Sequence, residues 1–462
     1  MKPAQPARKK HHSGKDKFRD ASPSIPGLAA RKTAARLLGA VIDTRTALDG
    51  MTDNEHGHPN YMALDMRDRA LVRAMLGAAL RHRMTIAALL AKRLEKPLPA
   101  NATTLSHILH IAAAQILFLD VPDSAAVDLA VTHAKSDPRT RRFDKLVNAV
   151  LRALVRMRET ELEPALAATD DAPQWFLTRL NQAYGKEQAR AILAAHRFEP
   201  PIDLTVKSDP QGWAERLGGI VLPTGSVRLE KLTQAVPELP GFEEGEWWVQ
   251  DAAAALPARL MGTFSGSRVA DLCAAPGGKT AQLVLAGAQV TALDASQSRL
   301  KRLARNLERL HFQADIIHSD LLDFTPPDLF DAVLLDAPCS STGTIRRHPD
   351  VAWTKTPDDI AKLASLQRRL LDKAFTLIRP GGIVLFSNCS LDPLEGEDLL
   401  TAFLDETPDA ELDPIQPQEA PGIAPFITPQ GTLRTTPAGL DMGSPTLSGL
   451  DGFYAARIRK RG

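Results

Sequence analysis

The 462-residue chain is too long for a single hydrophobic core, so two or three domains are expected. Its 44% hydrophobic and 24% charged residues are those of a soluble globular protein, and no apolar run approaches the roughly 20 residues of a membrane span. Three cysteines exclude a disulfide scaffold and fit a reducing cytoplasm, while a net charge of +1 does not by itself announce nucleic acid.

Residues 1–26 form a basic tail, with Lys2, Arg8, Lys9, Lys10, Lys15, Lys17 and Arg19 against Asp16 and Asp20. So few apolar residues predict disorder, and no apolar segment makes it a secretory signal. Such a tail can slide over phosphates or simply solubilise the chain.

From 27 to 158 the chain is rich in Ala, Leu and Arg and reads as all-helical. Ala30, Ala34, Ala35, Leu38 and Val41 recur at helical spacing, as do Ala70, Leu71, Ala74, Met75 and Ala78. Leu105, Ile108, Leu109, Ala112, Ile116 and Leu117 form a third stripe, and Leu146, Val147, Val150, Leu151 and Leu154 a fourth. Arginines such as Arg67, Arg81, Arg83, Arg139 and Arg152 stud the polar faces. They are either solvated or poised for phosphate.

Residues 159–248 read as two more helices, ending before Pro200-Pro201, and then a small α+β subdomain. From 249 to 462 an α/β alternation takes over. Strands are expected at 268–272, 289–293, 315–318, 331–335 and 383–387, with a closing strand at 453–458 and loop over 408–447. The fold class is thus multidomain: an all-α N-terminal domain, an α+β linker and a Rossmann-like α/β domain.

The segment Asp271-Leu-Cys273-Ala274-Ala275-Pro276-Gly277-Gly278-Lys279-Thr280 joins a strand to a helix. Glycines let backbone approach a ligand, and a helix N-terminus favours an anion. The pattern is neither Gly-x-Gly-x-x-Gly nor a Walker loop. The next strand ends in Asp294, placed to bind ribose hydroxyls, and the one after reaches Asp320, able to accept from an adenine amino group. Either acid alone could equally cap the helix that follows it. Together, in this order, they point to S-adenosylmethionine, an adenosine bearing a carboxylate and no phosphate.

Two thiols follow strand ends. Cys339 lies in Asp336-Ala-Pro-Cys-Ser, and Cys389 in Ser387-Asn-Cys-Ser. A lone cysteine is usually buried and inert. Two beside a methyl donor suggest covalent catalysis through sulfur.

These three segments, in this order, resemble the RNA cytosine-5 methyltransferases of the Fmu/Nol1/Nop2/Sun family. Ile345-Arg346-Arg347-His348-Pro349-Asp350 and Asp451-Gly452-Phe453 resemble the bacterial small-subunit ribosomal RNA type. Pro122 to Val127 and Val147 to Arg152 are similar to the NusB-like domain that this type carries, so the likeness covers about residues 30–460. It implies that Cys389 is the nucleophile on carbon 6 of cytosine, that Asp336 binds the pyrimidine edge and that Cys339 assists release. It also implies that residues 273–279, Asp294, Asp320 and Asp336 line the cofactor. Lys279 is open to the methionyl carboxylate or the base, and Cys273 reads as packing. The family usually has Thr where this chain has Asn388.

A helical cytosine hides its carbons 5 and 6, so the base must flip out, most easily from a loop or bulge. Arg346, Arg347 and His348 follow the Cys339 loop and are expected to hold neighbouring phosphates. Helix 297–311 turns Arg299, Lys301, Arg302, Arg305 and Arg309 outward, toward RNA or solvent. Ribosomal RNA is the expected partner and a cytoplasmic monomer the expected form, with no membrane and no metal. The alternatives are a transfer RNA cytosine-5 methyltransferase and a non-catalytic NusB-like assembly factor.

Overall fold

The computed structural model describes residues 25–462, apart from Thr233 and Thr263. The basic tail therefore lies outside the described residues, save its last two.

The four apolar stripes become helices Leu28–Thr44, Met66–Arg81, Thr103–Phe118 and Asp144–Ala168. Asp65 caps the second, accepting from the Asp68 N–H at 2.7 Å. Thr103–Phe118 is apolar on nearly every face because it runs through the middle, burying Leu105, Leu109, Ala113 and Ile116. The stripes meet in one continuous apolar core. The fourth helix does not stop at 158 but continues to Ala168. A second long segment, Gln174–His196, breaks its helical path at Gly185, where φ is 76°.

Next comes a four-stranded antiparallel sheet of β1 (Ile202–Val206), β2 (Ile220–Val221), β3 (Val227–Leu229) and β4 (Trp247–Val249), ordered β2-β3-β1-β4. Helix Pro210–Leu217 packs Trp213 against its Leu204, Val227 and Trp247.

The C-terminal sheet contains β5 (Arg268–Leu272), β6 (Gln289–Asp294), β7 (Asp315–His318), β8 (Phe330–Asp336), β9 (Ile378–Asn388), β10 (Ala410–Leu412), β11 (Leu433–Thr435) and β12 (Phe453–Lys460). The order is β10-β12-β9-β8-β5-β6-β7, with β11 pairing β12. Strands β5 to β9 run parallel, and β12 lies antiparallel to β9. The short β10 and β11 occupy the stretch expected to be loop. Three residues carry no readable period, and long-range pairing with β12 makes them strands.

The chain moves outward from β5 through β6 to β7, then returns to place β8 on the other side of β5. That reversal opens a crevice at the carboxyl ends of β5 and β8, where ligands bind in such sheets. The cofactor loop follows β5 and the first thiol segment follows β8.

The helical domain docks against the segment after that thiol. Trp353 packs partly into the helical core and donates its indole N–H to Leu80 O at 3.2 Å. Arg81 donates to Arg346 O at 2.7 Å, and the Leu48 N–H to Asp350 at 2.9 Å. None of the described helices is long and apolar enough to cross a membrane.

Candidate active site

Strands β8 and β9 pair in parallel with Asp336 opposite Ser387. Their ends therefore face the same edge, and the loops that follow bring Cys339 and Cys389 together. The sulfurs are 3.4 Å apart, and both residues are partly exposed. The hydrogen bond from Cys339 lowers the pKa of Cys389 against the opposing effect of burial. The same bond, with burial added, pushes Cys339 up. Of the pair, Cys389 is therefore the thiol more easily ionised and Cys339 the one that more readily keeps its proton.

Asp336 is held on both oxygens. Lys279 Nζ donates to Oδ2 at 2.7 Å and Ser387 Oγ to Oδ1 at 3.0 Å. Lys279 also lies over the Phe453 ring, 4.9 Å from its centroid. Either role left open for Lys279 starts from this ion pair.

The loop after β5 is tied to the neighbouring strand by hydrogen bonds. The Ala274 N–H donates to Leu293 O at 3.0 Å, and the Ala275 N–H to Asp294 Oδ2 at 3.2 Å. Asp294 Oδ1 accepts from the Ser296 N–H at 2.9 Å, so this carboxylate joins loop and following helix. It is buried, and its Oδ1 keeps an unused lone pair. Asp320 is exposed and turns Oδ1 to the Leu322 N–H at 2.9 Å. Both acids therefore do make the local turns that compete with ligand binding.

Cys273 has φ 64° and Gly277 φ 102°. A Cβ at Gly277 would sit 3.0 Å from Leu303 Cγ, so glycine is required there. No side chain caps helix Gly278–Leu285, which leaves its first N–H groups open to an anion. With Asp294 behind and Asp320 at the rim, this donor set fits an adenosine carrying a carboxylate. Cys273 is pushed up to about 12 by burial and by Asp336, Asp294 and Asp271, which suits an inert thiol. Beneath the loop, burial raises Asp271 to about 7, although Thr280 Oγ1 donates to it at 2.6 Å.

A cavity of about 360 Å³ opens between this loop and the antiparallel subdomain. Trp248, Gln250 and Arg309 line it on one side, Pro276 to Lys279 and Asp336 on the other. Asp294, Asp320 and the two thiols at positions 339 and 389 lie outside its lining.

The expected phosphate contacts need correction. Arg346 is 2% exposed, its guanidinium bound to Asp451 and Asp251 at 2.7 Å each. Arg347 reaches the same pair at 3.1 and 2.6 Å. Burial opposes ionisation of Asp251, but Arg347 and Arg346 outweigh it and hold the carboxyl low. Both arginines clamp the thiol segment to the residues just after β4 and to the loop that leads into β12. Arg347 and His348 remain partly open, and His348 meets Asp49 of the helical domain at 3.2 Å.

The basic helix is Gln297–Arg309, with Leu300, Leu303 and Leu307 buried. Arg299, Lys301, Arg302 and Arg305 are exposed on its outward face, Arg299 also reaching Ala275 O and Asp294, the latter at 3.4 Å. Arg309 is half-buried and stacks over Phe242 at 3.9 Å. In the helical domain, Arg81 and Arg83 are likewise drawn inward, Arg83 over the Trp353 ring at 5.6 Å. Among the described residues no cluster of three His, Cys, Asp or Glu side chains could hold a metal ion.

Glu395 and Gln367, which buttress both thiol loops, carried no sequence signal. An acid a few residues past a cysteine has no pattern of its own.

Comparison with known proteins agrees with this geometry. Residues 260–459 match the model of the 16S rRNA methyltransferase RsmB/F family, and residues 28–156 that of the NusB family. The chain is 36% identical to the ribosomal RNA small subunit methyltransferase B of Vibrio cholerae over 412 residues, which span 82% of this chain and 94% of that one. It is 36% identical to the protein of that name from Xylella fastidiosa over 448 residues, 94% and 98% of the two chains. The solved structure of a methyltransferase homologue from Pyrococcus horikoshii covers 61% of this chain and 93% of its own, at 30% identity and a TM-score of 0.51. The crystal structure of PH0851 shares the fold over 95% of this chain and 99% of its own, with a TM-score of 0.67 at 23% identity. With the crevice, the paired thiols and relatives matched almost end to end, the chain belongs to the ribosomal RNA small subunit methyltransferase B family.

Proposed function

We propose that this enzyme methylates carbon 5 of a cytosine in small-subunit ribosomal RNA through a covalent bond between Cys389 and the base. The observation that carries this reading is the pair of thiols in contact at the ends of β8 and β9, next to the anchored Asp336. When bound, S-adenosylmethionine supplies the methyl group. Residues 273–279 with Asp294, Asp320 and Asp336 would hold it.

The Cys389 thiolate attacks carbon 6, and the new C–S bond makes carbon 5 nucleophilic. Asp336, fixed by Lys279 and Ser387, hydrogen-bonds the pyrimidine edge and stabilises charge on the ring. Removal of the carbon 5 proton then restores the double bond and expels the sulfur. Cys339 is suited to assist here and not earlier. Its pKa is raised first by the hydrogen bond to Cys389, and the repulsion of that thiolate adds to it. Both effects are relieved once Cys389 is bonded to carbon, although burial and Glu395 still oppose ionisation, so Cys339 is easier to ionise at the step that needs a base than before it.

The test is an asymmetry between the thiols. Cys389→Ala should bind RNA but give neither methyl transfer nor adduct. Cys339→Ala should accumulate a protein–RNA species that survives denaturing gels. A trapped adduct in the first variant and none in the second would reverse the assignment. Mapping 5-methylcytosine on ribosomal and transfer RNA with and without the gene identifies the substrate.

A further inference from the structure

Glu395 ends the short turn Pro393–Glu395 and is completely buried. Its Oε1 accepts from the Ser340 N–H at 2.9 Å and from Gln367 Nε2 at 2.8 Å. Its Oε2 accepts from Ser340 Oγ at 2.5 Å and Ser390 Oγ at 2.6 Å. Ser340 directly follows Cys339, and Ser390 directly follows Cys389. Asn388, on the other side of Cys389, donates to Gln367 Oε1 at 3.2 Å and to the Glu395 carbonyl at 2.6 Å. It also accepts the Ser390 N–H at 3.0 Å. Asn388, where relatives of this kind usually have Thr, is thus part of the same network.

Among the described residues no Lys, Arg or His lies within ion-pair distance of Glu395. A buried carboxylate without a counter-ion is costly, and burial raises its pKa. Its four donors are the compensation, and every one is next to a thiol or belongs to the glutamine behind the second thiol loop. Hydrogen bonds to a charged acceptor are short and stiff. We propose that Glu395 is a positioning residue: it locks the Cys339 and Cys389 loops to one another and thereby sets the sulfur–sulfur separation on which attack and release depend. The proposal rests on the thiol roles given above.

The test uses the full-length protein and two independent readouts. The first needs no RNA. Diamide takes two electrons and two protons from a thiol pair, leaving a disulfide and a hydrazine, and peptide mass spectrometry measures the Cys339–Cys389 bond formed. Removing the Glu395 charge would by electrostatics alone ease ionisation of Cys339 and speed oxidation. Glu395→Gln is expected instead to slow it about tenfold, because the loops separate. The second readout is turnover. A misplacement of about 1 Å can cost about 100-fold, so kcat should fall by that order while the RNA KM and S-adenosylmethionine affinity stay near wild type.

Ser340→Ala and Ser390→Ala keep the carboxylate and test one arm each. The first should favour adduct accumulation, the second loss of adduct. They also carry the test if Glu395→Gln does not fold. Wild-type crosslinking or wild-type kcat in Glu395→Gln, or identical behaviour of the two serine variants, overturns the proposal. Slowed crosslinking with no adduct in any protein, wild type included, would leave the positioning intact and overturn the thiol roles.

Discussion

In the helical domain the buried titratable groups include histidines. Burial, with nearby Arg197 and Arg81, drives His82 down to about 3, and His82 stacks on Phe118 with 3.7 Å between centroids. His110 and His133 are each held at about 4, again chiefly by burial. His196, in the helix that leads to the next domain, is held at about 3. In the methyltransferase domain the groups that burial displaces include carboxylates: Asp271, at about 7, and Glu395, raised. The arginine-rich region thus keeps these buried imidazoles neutral, and the methyltransferase domain holds buried carboxyls that resist ionisation. The two regions should respond to pH with opposite signs.

The largest expected effect is acid unfolding that begins in the helical domain. These histidines have folded pKa values below the ordinary 6.5, so the unfolded chain takes up protons first. Their stabilising contribution is complete above about pH 6.5 and is lost as pH falls toward about 4. One pKa unit is worth about 1.4 kcal/mol, so the three together carry on the order of 10 kcal/mol. Far-ultraviolet circular dichroism should lose helix in that window while fluorescence from buried Trp213, Trp247 and Trp248 persists. Replacing His82 by Phe should narrow the loss at pH 5 and leave stability at pH 8 little changed. Simultaneous loss of both signals would break the contrast between the regions.

The next effect asks whether the regions are energetically joined. Trp353 packs in the helical core and also against the linker cluster that contains Phe176 and Ile345. Trp353→Ala should cost about 3 kcal/mol, the low end for a large aromatic, because its ring is only partly buried. Two separate unfolding transitions by calorimetry, where wild type shows one, would locate the coupling in this side chain. Unchanged cooperativity would assign it to Arg81 and Asp350.

How much of this was legible beforehand follows from how local each signal is. The parallel strands are readable because each is a short apolar run bounded by polar or turn-forming residues. The placement of the two thiols and of Asp294 at strand ends is readable because it follows from those boundaries. Arg346 and Arg347 were misread because two adjacent arginines look alike whether they face phosphate or Asp251 and Asp451, which arrive from distant parts of the chain. Glu395 and Gln367 were invisible for the same reason, since their partners come from three separate segments. Helix end Ala168 was missed because the charged stretch after Leu154 loses its apolar stripe while remaining helical.

The smallest effect sharpens the acidic side of the comparison. Asp271 has its folded pKa raised from 3.8 to about 7, so the folded protein holds a proton that the unfolded chain releases. Stability should therefore fall as pH climbs through about 4 to 7 and level off above, the reverse of the histidine trend. Asp271→Asn removes this slope. Thr280 can still donate to the amide oxygen, while the Oδ1 position, which has no partner in the wild type, becomes an unpaired NH₂ at constant cost. The informative quantity is thus the change with pH in the stability difference between variant and wild type. It should move in favour of Asn by on the order of 2 kcal/mol between pH 4 and pH 8, after discounting for water penetration at the crevice. A difference that stays flat would mean that Asp271 is ionised throughout, and that Lys279, already paired with Asp336, also compensates the carboxylate beneath it.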